Sequence, residues 1–445
     1  MRLELELELE LELPLGGELE LELEMQMGWS HRKRTTISGI PMTVFLTPSL
    51  PGGDDRLLVA EQVLPGHPDK LADQIADGVL DIALAADPQA IVQVEVAVHD
   101  ADCFVNGRVS TAGGVLPEED IARTVRAVYE RAGFGVAFPD LGAGPDWQCP
   151  RGDDVNLILS LQRDEADPLE TAEREYADDQ AITVGYAVAC EGTRHLPLEQ
   201  HLALRLRERL LELVLAERAL GAGPDGKLVV TLAPTGAAAP RYRVREVIVS
   251  LQHLDLAPLV ALQRAVRQAV TGELLAQHLV TPDLLEAPDD ALAVRFNDSI
   301  VFVRGGPLND NGQTGRKLVC DYYGPRVPLG GGALSGKDPW RLDRAGALRA
   351  RQLARAIVDT GFVQDALVTF VWGPRDRRPS HVAVVADGRP LPSPVVNRWL
   401  ARIDPSLRAT WEELRLWEVN WENCARGGHF GRDERWERVG GSVHP

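Results

Sequence analysis

Three observations predict an α+β fold for this 445-residue chain. Strand-like and helix-like segments follow one another in pairs rather than singly, the pattern of sheets with segregated helices and not of a doubly wound parallel sheet. Runs such as AIVQVEVAV at 90 to 98 alternate with the two-residue period of a half-buried strand. The length is enough to bury a large core divided among two to four domains.

Taken in order, the chain opens with Leu-Glu alternation at 3 to 13 and 19 to 24. This has strand period, but its stacked carboxylates repel and it has no obvious partner strand, so residues 1 to 55 are read as a disordered tail or translated simple-sequence DNA. A true start at Met25, Met27 or Met42 fits that reading. Breakers in TPSLPGGDD at 47 to 55 put the first ordered residue near Arg56. Pro68 suits the first turn of a helix whose apolar positions Leu71, Ile75, Val79 and Ile82 recur at helical spacing, which sets His67 and Asp69 at a helix start. In the strand at 90 to 98, Val92, Val94, Val96 and Val98 share one face, and Gln93, Glu95 and Ala97 the other. An Asn106-Gly107 turn is expected next, with Arg108 opening the return strand. Further helices are predicted at 118 to 132, 197 to 219, 257 to 277 and 341 to 359. Strands are predicted near 227 to 233, 243 to 251, 299 to 304, 317 to 323, 365 to 372 and 380 to 386. Breakers at 140 to 153 and 287 to 298 suggest α+β domains at 56 to 153, 154 to 303 and 304 to 445. The tryptophans of the C-terminal part, Trp399, Trp411, Trp417, Trp421 and Trp436, suit packing or a subunit contact.

Composition excludes several classes. Five scattered cysteines, never spaced as CxxC, suggest neither a disulfide framework nor a zinc site, and a reducing cytoplasm is the expected setting. The net charge is −19, of which the first 25 residues supply −8 through nine Glu and one Arg, leaving −11 on the body. A body that acidic disfavours nucleic acid, although local basic clusters can still grip small anions. No apolar run approaches the roughly 20 residues of a membrane span.

Chemistry concentrates in two glycine-rich stretches. Gly330 to Asp343 reads GGGALSGKDPWRLD, with Asp338-Pro339 resembling an N-cap and first helical residue, so backbone N–H groups and a helix start could hold phosphate. The spacing from Gly331 to Lys337 fits a P-loop, but Asp338 stands where a magnesium-binding Ser or Thr is required and no buried strand precedes it. Upstream, GGPLNDNGQTGRK at 305 to 317 brings Asp310, Arg316 and Lys317 near the same glycines. Together the stretches suit a polyphosphate.

Six strings in fixed order carry a resemblance: GHPDKLADQ at 66 to 74, DDQ at 178 to 180 before GYA, PDGK at 224 to 227, GGPLNDNGQTGRK at 305 to 317, GGGALSGKD at 330 to 338 and GHFGRD at 428 to 433. From Val59 to Glu437 the chain resembles the methionine adenosyltransferase (S-adenosylmethionine synthetase) family. The resemblance implies three similar α+β domains related by a pseudo-threefold, and active sites at a subunit interface in a homodimer or dimer of dimers. It also implies ATP and methionine as substrates, with magnesium and potassium. The implied reaction is attack by the methionine sulfur on C5′ of ATP, followed by hydrolysis of the released triphosphate.

A thioether sulfur carries no proton, so the first step needs alignment and stabilisation of the leaving triphosphate rather than a general base. Lys227, Arg316, Lys317 and Lys337 are suitable cations. By resemblance, His67 sits beside the ribose and triphosphate, Phe302 stacks on adenine and Ala333 lies against the nucleotide. Asp69, with Asp343 nearby, is expected to hold magnesium and Glu95 potassium. Glu61, Asp179, Asp225 and Asp310 fall on active-site positions. The departures lie on the amino-acid side. Arg108 stands at the family's ammonium-binding Glu and Arg341 at its Lys. The loop around Gln162 to Glu173 looks shortened, Leu329 replaces a His and Pro65 an acidic residue. These leave room for a different thioether acid as acceptor, or for a weakly catalytic ATP-binding paralogue.

Overall fold

The computed structural model describes residues 19–21, 35–37, 57–144, 150–234, 242–277, 293–298 and 301–438. Two units separate at Asp54. In the first, β1 (Leu19–Leu21) pairs antiparallel with β2 (Thr35–Ile37), so part of the Leu-Glu repeat does find a partner strand. The rest of the tail, the breakers at 47 to 55 and Cys149 lie outside the described residues.

The second unit begins with β3 (Leu58–Val63) and α1 (Pro68–Ala86). Leu71, Ile75 and Val79 are fully buried as their spacing predicts, yet α1 is buried nearly all round, Asp73, Gln74 and Asp77 included. A helix enclosed on every side must have its polar groups met by other segments, and that requirement shapes the site. Next come β4 (Ile91–His99), β5 (Asp102–Thr111), α2 (Glu118–Ala132), β6 (Asn156–Glu165) and α3 (Pro168–Ala172). In β4 the four valines are buried, while Gln93 and Glu95 face outward. The hairpin turn falls at Asp100-Ala101, not at Asn106-Gly107, because the register pairs His99 with Asp102 and Val94 with Gly107. Gly107 lies within β5, where a Cβ would come 2.0 Å from the Gln93 carbonyl oxygen; the glycine admits a close strand, not a turn. The expected loop at 162 to 173 is the end of β6 followed by α3.

The chain continues through β7 (Ala181–Val188), α4 (Leu198–Ala216), β8 (Ala222–Pro234), β9 (Tyr242–His253), α5 (Leu259–Ala276), β10 (Ala293–Phe296) and β11 (Gly312–Gln313). Residues 301 to 304 are not a strand; the Phe302 carbonyl accepts from the His253 N–H at 3.0 Å and its own N–H donates to His253 Nε2 at 3.3 Å. The segment at 317 to 323 is likewise no strand: α6 (Leu318–Asp321) forms instead, burying Cys320 and bringing Asp321 within 2.7 Å of Lys70. Here tertiary burial overrides a short β-branched and aromatic run. The chain ends with α7 (Leu342–Val358), β12 (Asp365–Trp372), β13 (His381–Ala386), β14 (Arg389–Pro390), α8 (Ser393–Leu400), α9 (Leu407–Leu414) and α10 (Trp421–Gly427).

Among the described residues of this unit three four-stranded sheets result, in the orders β10-β9-β8-β3, β11-β4-β5-β6 and β14-β13-β12-β7. Among the described strands only β9–β10 and β5–β6 are parallel pairs, in keeping with α+β. The helices α4 and α5 close one core against β8 and β9, and a larger core joins α1, α2 and α7 to the other two sheets. Each sheet draws a strand from a distant part of the chain. Thus β3 pairs with β8, β11 with β4, and β7 with β12.

Candidate active site

Four aspartates recur at every fourth position along α1: Asp69, Asp73, Asp77 and Asp81. They therefore share one face of the helix, and each receives a backbone N–H from a later segment. Asp69 accepts from Gln313 at 3.0 Å, Asp73 from Gly315 at 2.8 Å, and Asp77 from Gly336 at 2.8 Å. Asp81 accepts from Trp421 and Glu422, both at 2.9 Å. Both glycine-rich stretches and the start of α10 are thus pinned to one helix. Burial pushes the Asp73 and Asp81 carboxyls up to about 7. Burial would also raise Asp69, but Lys317 and the Gln313 N–H outweigh it and hold that carboxyl below its usual range.

At the start of α1, Gly66 lies against Pro224, where a Cβ would come within 2.6 Å, and this brings PDGK to GHPDK. Lys227 pairs with Glu61 at 3.0 Å. Lys317 lies 2.7 Å and Arg316 3.4 Å from Asp69. His67 is the N-cap, its Nδ1 accepting from the Asp69 N–H at 3.3 Å. Burial, reinforced by Lys317, lowers its pKa to about 4, so the ring is neutral at pH 7 and carries its proton on Nε2. Asp225 is buried and accepts from the Gly306 N–H at 2.8 Å, tying PDGK to the 305 to 317 stretch; burial pushes it up to about 7. Asp310 is exposed and caps Asn311.

The second glycine stretch packs along β4. Val94 donates to the Gly336 carbonyl at 2.7 Å, and Asp338 exchanges bonds with Val92 through its N–H and its carboxylate. Asp338-Pro339 does not start a helix: α7 begins at Leu342 with Arg341 as N-cap. The Asp338 carboxylate is occupied by Val92, Trp340 and Arg174. Lys337 instead turns to Asp343, 2.5 Å away, and Gly332 lies against that same carboxylate. Ala333 touches Gly315, so the two stretches meet directly.

The structure therefore gathers His67, Asp69, Lys227, Arg316 and Lys317 at one end and Lys337 with Asp343 at the other, with Ala333 on Gly315 between them. It does not bring Phe302, Asp179 or Glu95 into bonds with these cations. Asp179 is exposed and caps Gln180, and Glu95 faces out from β4 beside Asn106. Arg341 pairs with Asp178 and lies 3.6 Å from Asp338.

Sequence reasoning missed the buried ions behind the site. Lys70 bridges Asp73 at 2.9 Å and Asp321 at 2.7 Å, Arg344 meets Asp77 at 2.6 Å, and His429 lies 3.7 Å from Asp321 and 4.0 Å from Asp77. The four-residue recurrence of Asp on a helix that is otherwise mostly apolar is the signal that could have found them.

Four cations, Lys227, Arg316, Lys317 and Lys337, set about two glycine-rich stretches on an α+β scaffold make an arrangement that can hold a polyphosphate. Comparison with known families covers most of the chain: the N-terminal, central and C-terminal domains of S-adenosylmethionine synthetase match residues 55–140, 174–293 and 304–438. The chain is 37% identical over 384 residues to an S-adenosylmethionine synthase of Thermus thermophilus, covering 85% of this chain and 94% of that one. It is 34% identical to one from Corynebacterium urealyticum, covering 86% and 96%, and 33% identical to one from Myxococcus xanthus, covering 86% and 93%. The chain belongs to the S-adenosylmethionine synthetase family.

Proposed function

We propose that this protein is a methionine adenosyltransferase, forming S-adenosylmethionine from ATP and methionine. The observation that carries this reading is the convergence of Lys227, Arg316, Lys317 and Lys337 on the two glycine stretches. In the first step the sulfur lone pair forms the S–C5′ bond as the C5′–O bond breaks, and triphosphate leaves with the bonding electrons. No proton moves. Each lysine is already paired with a carboxylate, Lys227 with Glu61, Lys317 with Asp69 and Lys337 with Asp343. Exchanging those partners for phosphate oxygens keeps the cations preorganised toward charge that grows in the transition state. Neutral His67 can donate from Nε2 to a bridging or ribose oxygen. Water then cleaves the triphosphate to pyrophosphate and phosphate at the same cations.

Magnesium fits the donors available: it takes one or two carboxylates and completes its shell with phosphate oxygens and water, and Asp69 and Asp343 are hard oxygen ligands beside the cations. When bound it would neutralise triphosphate charge. Among the described residues no cluster of three or more His, Cys, Asp or Glu is disposed to hold a metal without substrate. Glu95 offers a single carboxylate on an open sheet face, and we assign it the potassium role. Phe302, Asp179, Asp310 and Arg341 complete the nucleotide and amino-acid ends, in a site shared between two subunits of a cytoplasmic homo-oligomer. No helix among the described residues is long and apolar enough to cross a membrane.

The test is incubation with ATP, methionine, magnesium and potassium, following the sulfonium by mass spectrometry and phosphorus products by NMR. Sulfonium, pyrophosphate and phosphate should appear in equal amounts. ATP hydrolysis with no sulfonium from any thioether in a panel would overturn the assignment.

A further inference from the structure

A pocket of about 250 Å³ opens beside the end of the second glycine stretch, with Glu170 and Arg341 both in its wall and Ile91, Tyr176 and Trp340 giving it apolar surface. Its charged groups can be accounted for one by one. Arg174 is spent on Asp338 and on the Gln89 and Ala90 carbonyls, and Arg375 on Glu173 at 2.7 Å and 3.2 Å. Of the wall's three carboxylates, each paired with one arginine, Glu170 is the least exposed, at 42% against 57% for Glu173 and 48% for Asp178, and Arg341 is the cation with an N–H to spare. Arg341 uses Nη1 on Asp178 and points Nε toward Asp338, leaving Nη2 without a partner among the described residues. Glu170 accepts one N–H on each oxygen from Arg108, at 2.8 Å and 2.9 Å, and a carboxylate has about four acceptor sites.

The scaffold explains why Glu170 is held there. It sits in α3, whose N-cap Asp167 accepts the Leu169 N–H at 2.8 Å. That helix follows directly on β6, which runs parallel to β5 with Arg108 opposite Gln162. The strand therefore delivers an arginine and the helix a carboxylate to one point, and their bidentate contact fixes the carboxylate's orientation. Arg108 is not a free cation available to a second acid or to repel an ammonium.

Resting on the methionine adenosyltransferase reading, we infer that Glu170 receives the α-ammonium of the thioether amino acid, Arg341 takes its α-carboxylate, and Arg108 is a positioning residue that orients Glu170. Opposite charges facing one pocket suit a zwitterion, and Arg341 lies two residues from Asp343 and four from Lys337, next to the leaving-group cations. The acceptor class is thus an α-amino acid with a thioether side chain, not a thioether acid lacking the amine.

The test compares wild type with Glu170→Gln and with the charge exchange Arg108→Glu/Glu170→Arg. Readouts are KM for methionine, the preference for methionine over 3-(methylthio)propionate, and hydrolysis of added tripolyphosphate, which needs no amino acid. Glu170→Gln should raise the methionine KM about tenfold or more, as loss of a charged contact does, and narrow the preference, while tripolyphosphate hydrolysis stays within about twofold. The exchange keeps the ion pair but puts an arginine in the pocket wall at 170 and the carboxylate at 108 outside it, so it should not recover the loss, whereas a merely structural pair would be restored by it. An unchanged KM or an unchanged preference overturns the inference, as does an equal fall in tripolyphosphate hydrolysis, which would mark a structural role. If wild type forms no sulfonium, the functional reading fails on its own, and calorimetric binding of methionine to wild type and Glu170→Gln then decides the role of Glu170: weakened binding supports it and equal binding overturns it.

Discussion

Single groups in this site differ in what their charge is for, and that separates their expected phenotypes. Lys337 pairs with Asp343 and, on the proposed reading, sits where triphosphate charge develops, so Lys337→Ala should lower turnover by about 10²–10³ and weaken ATP binding much less. Turnover within about threefold of wild type, by the sulfonium assay, would show that the glycine loop has been misassigned. Asp225 is a structural contrast: no cation offsets its burial, and its pKa rises from 3.8 to about 7. Between those values the folded protein holds a proton that the unfolded chain has released. The stability due to this group is therefore full below pH 3.8 and is lost as pH rises through about 7. Asp225→Asn cannot titrate, so it should gain on wild type from pH 4 to 7, by on the order of 4 kcal/mol at most. Denaturant melts at several pH values measure that gap, and a gap independent of pH would refute the protonated Asp225.

Elements carry the site by close approach, and Gly336 is the tightest point. It has φ +80°, and a Cβ there would lie 1.9 Å from the Val94 carbonyl oxygen. Gly336→Ala should peel the loop from β4, cost on the order of 2–4 kcal/mol and lower Tm and turnover together. A normal Tm with normal turnover would show that the loop does not need its seat on the strand. The same element shows how far local sequence reached. The four-helix set at 118, 198, 259 and 342 and the strands at 365 and 381 were legible because periodic burial decides them. The cations were legible as well, since lysines and arginines among glycines leave few other readings. What was not legible depends on partners hundreds of residues away. Asn106-Gly107 reads as a turn until Gln93 is seen against it, and Leu318 to Asp321 reads as a strand until Lys70 claims Asp321. Asp338 reads as a helix cap until β4 takes its carboxylate. Glu170 could not have been found, because nothing local marks one glutamate in a short acidic helix as the partner of Arg108.

For the whole molecule, the family domains begin at residue 55, beyond the Leu-Glu repeat. Removing residues 1 to 41 should leave turnover and Tm nearly unchanged, since that acidic repeat lies outside the matched domains. A large loss of either would give the segment a structural part. The aspartate ladder of α1 has a different reach, into the making of the protein. Its carboxylates are translated early, yet the amides that satisfy Asp69, Asp73, Asp77 and Asp81 come 244, 242, 259 and 340 residues later. At about 5–20 residues per second, the ribosome takes roughly 20 to 70 s to supply the last of them. Through that interval the central helix cannot be buried without stranding its acids. The nascent chain must wait, its largest core open, until the first turn of α10 has left the exit tunnel.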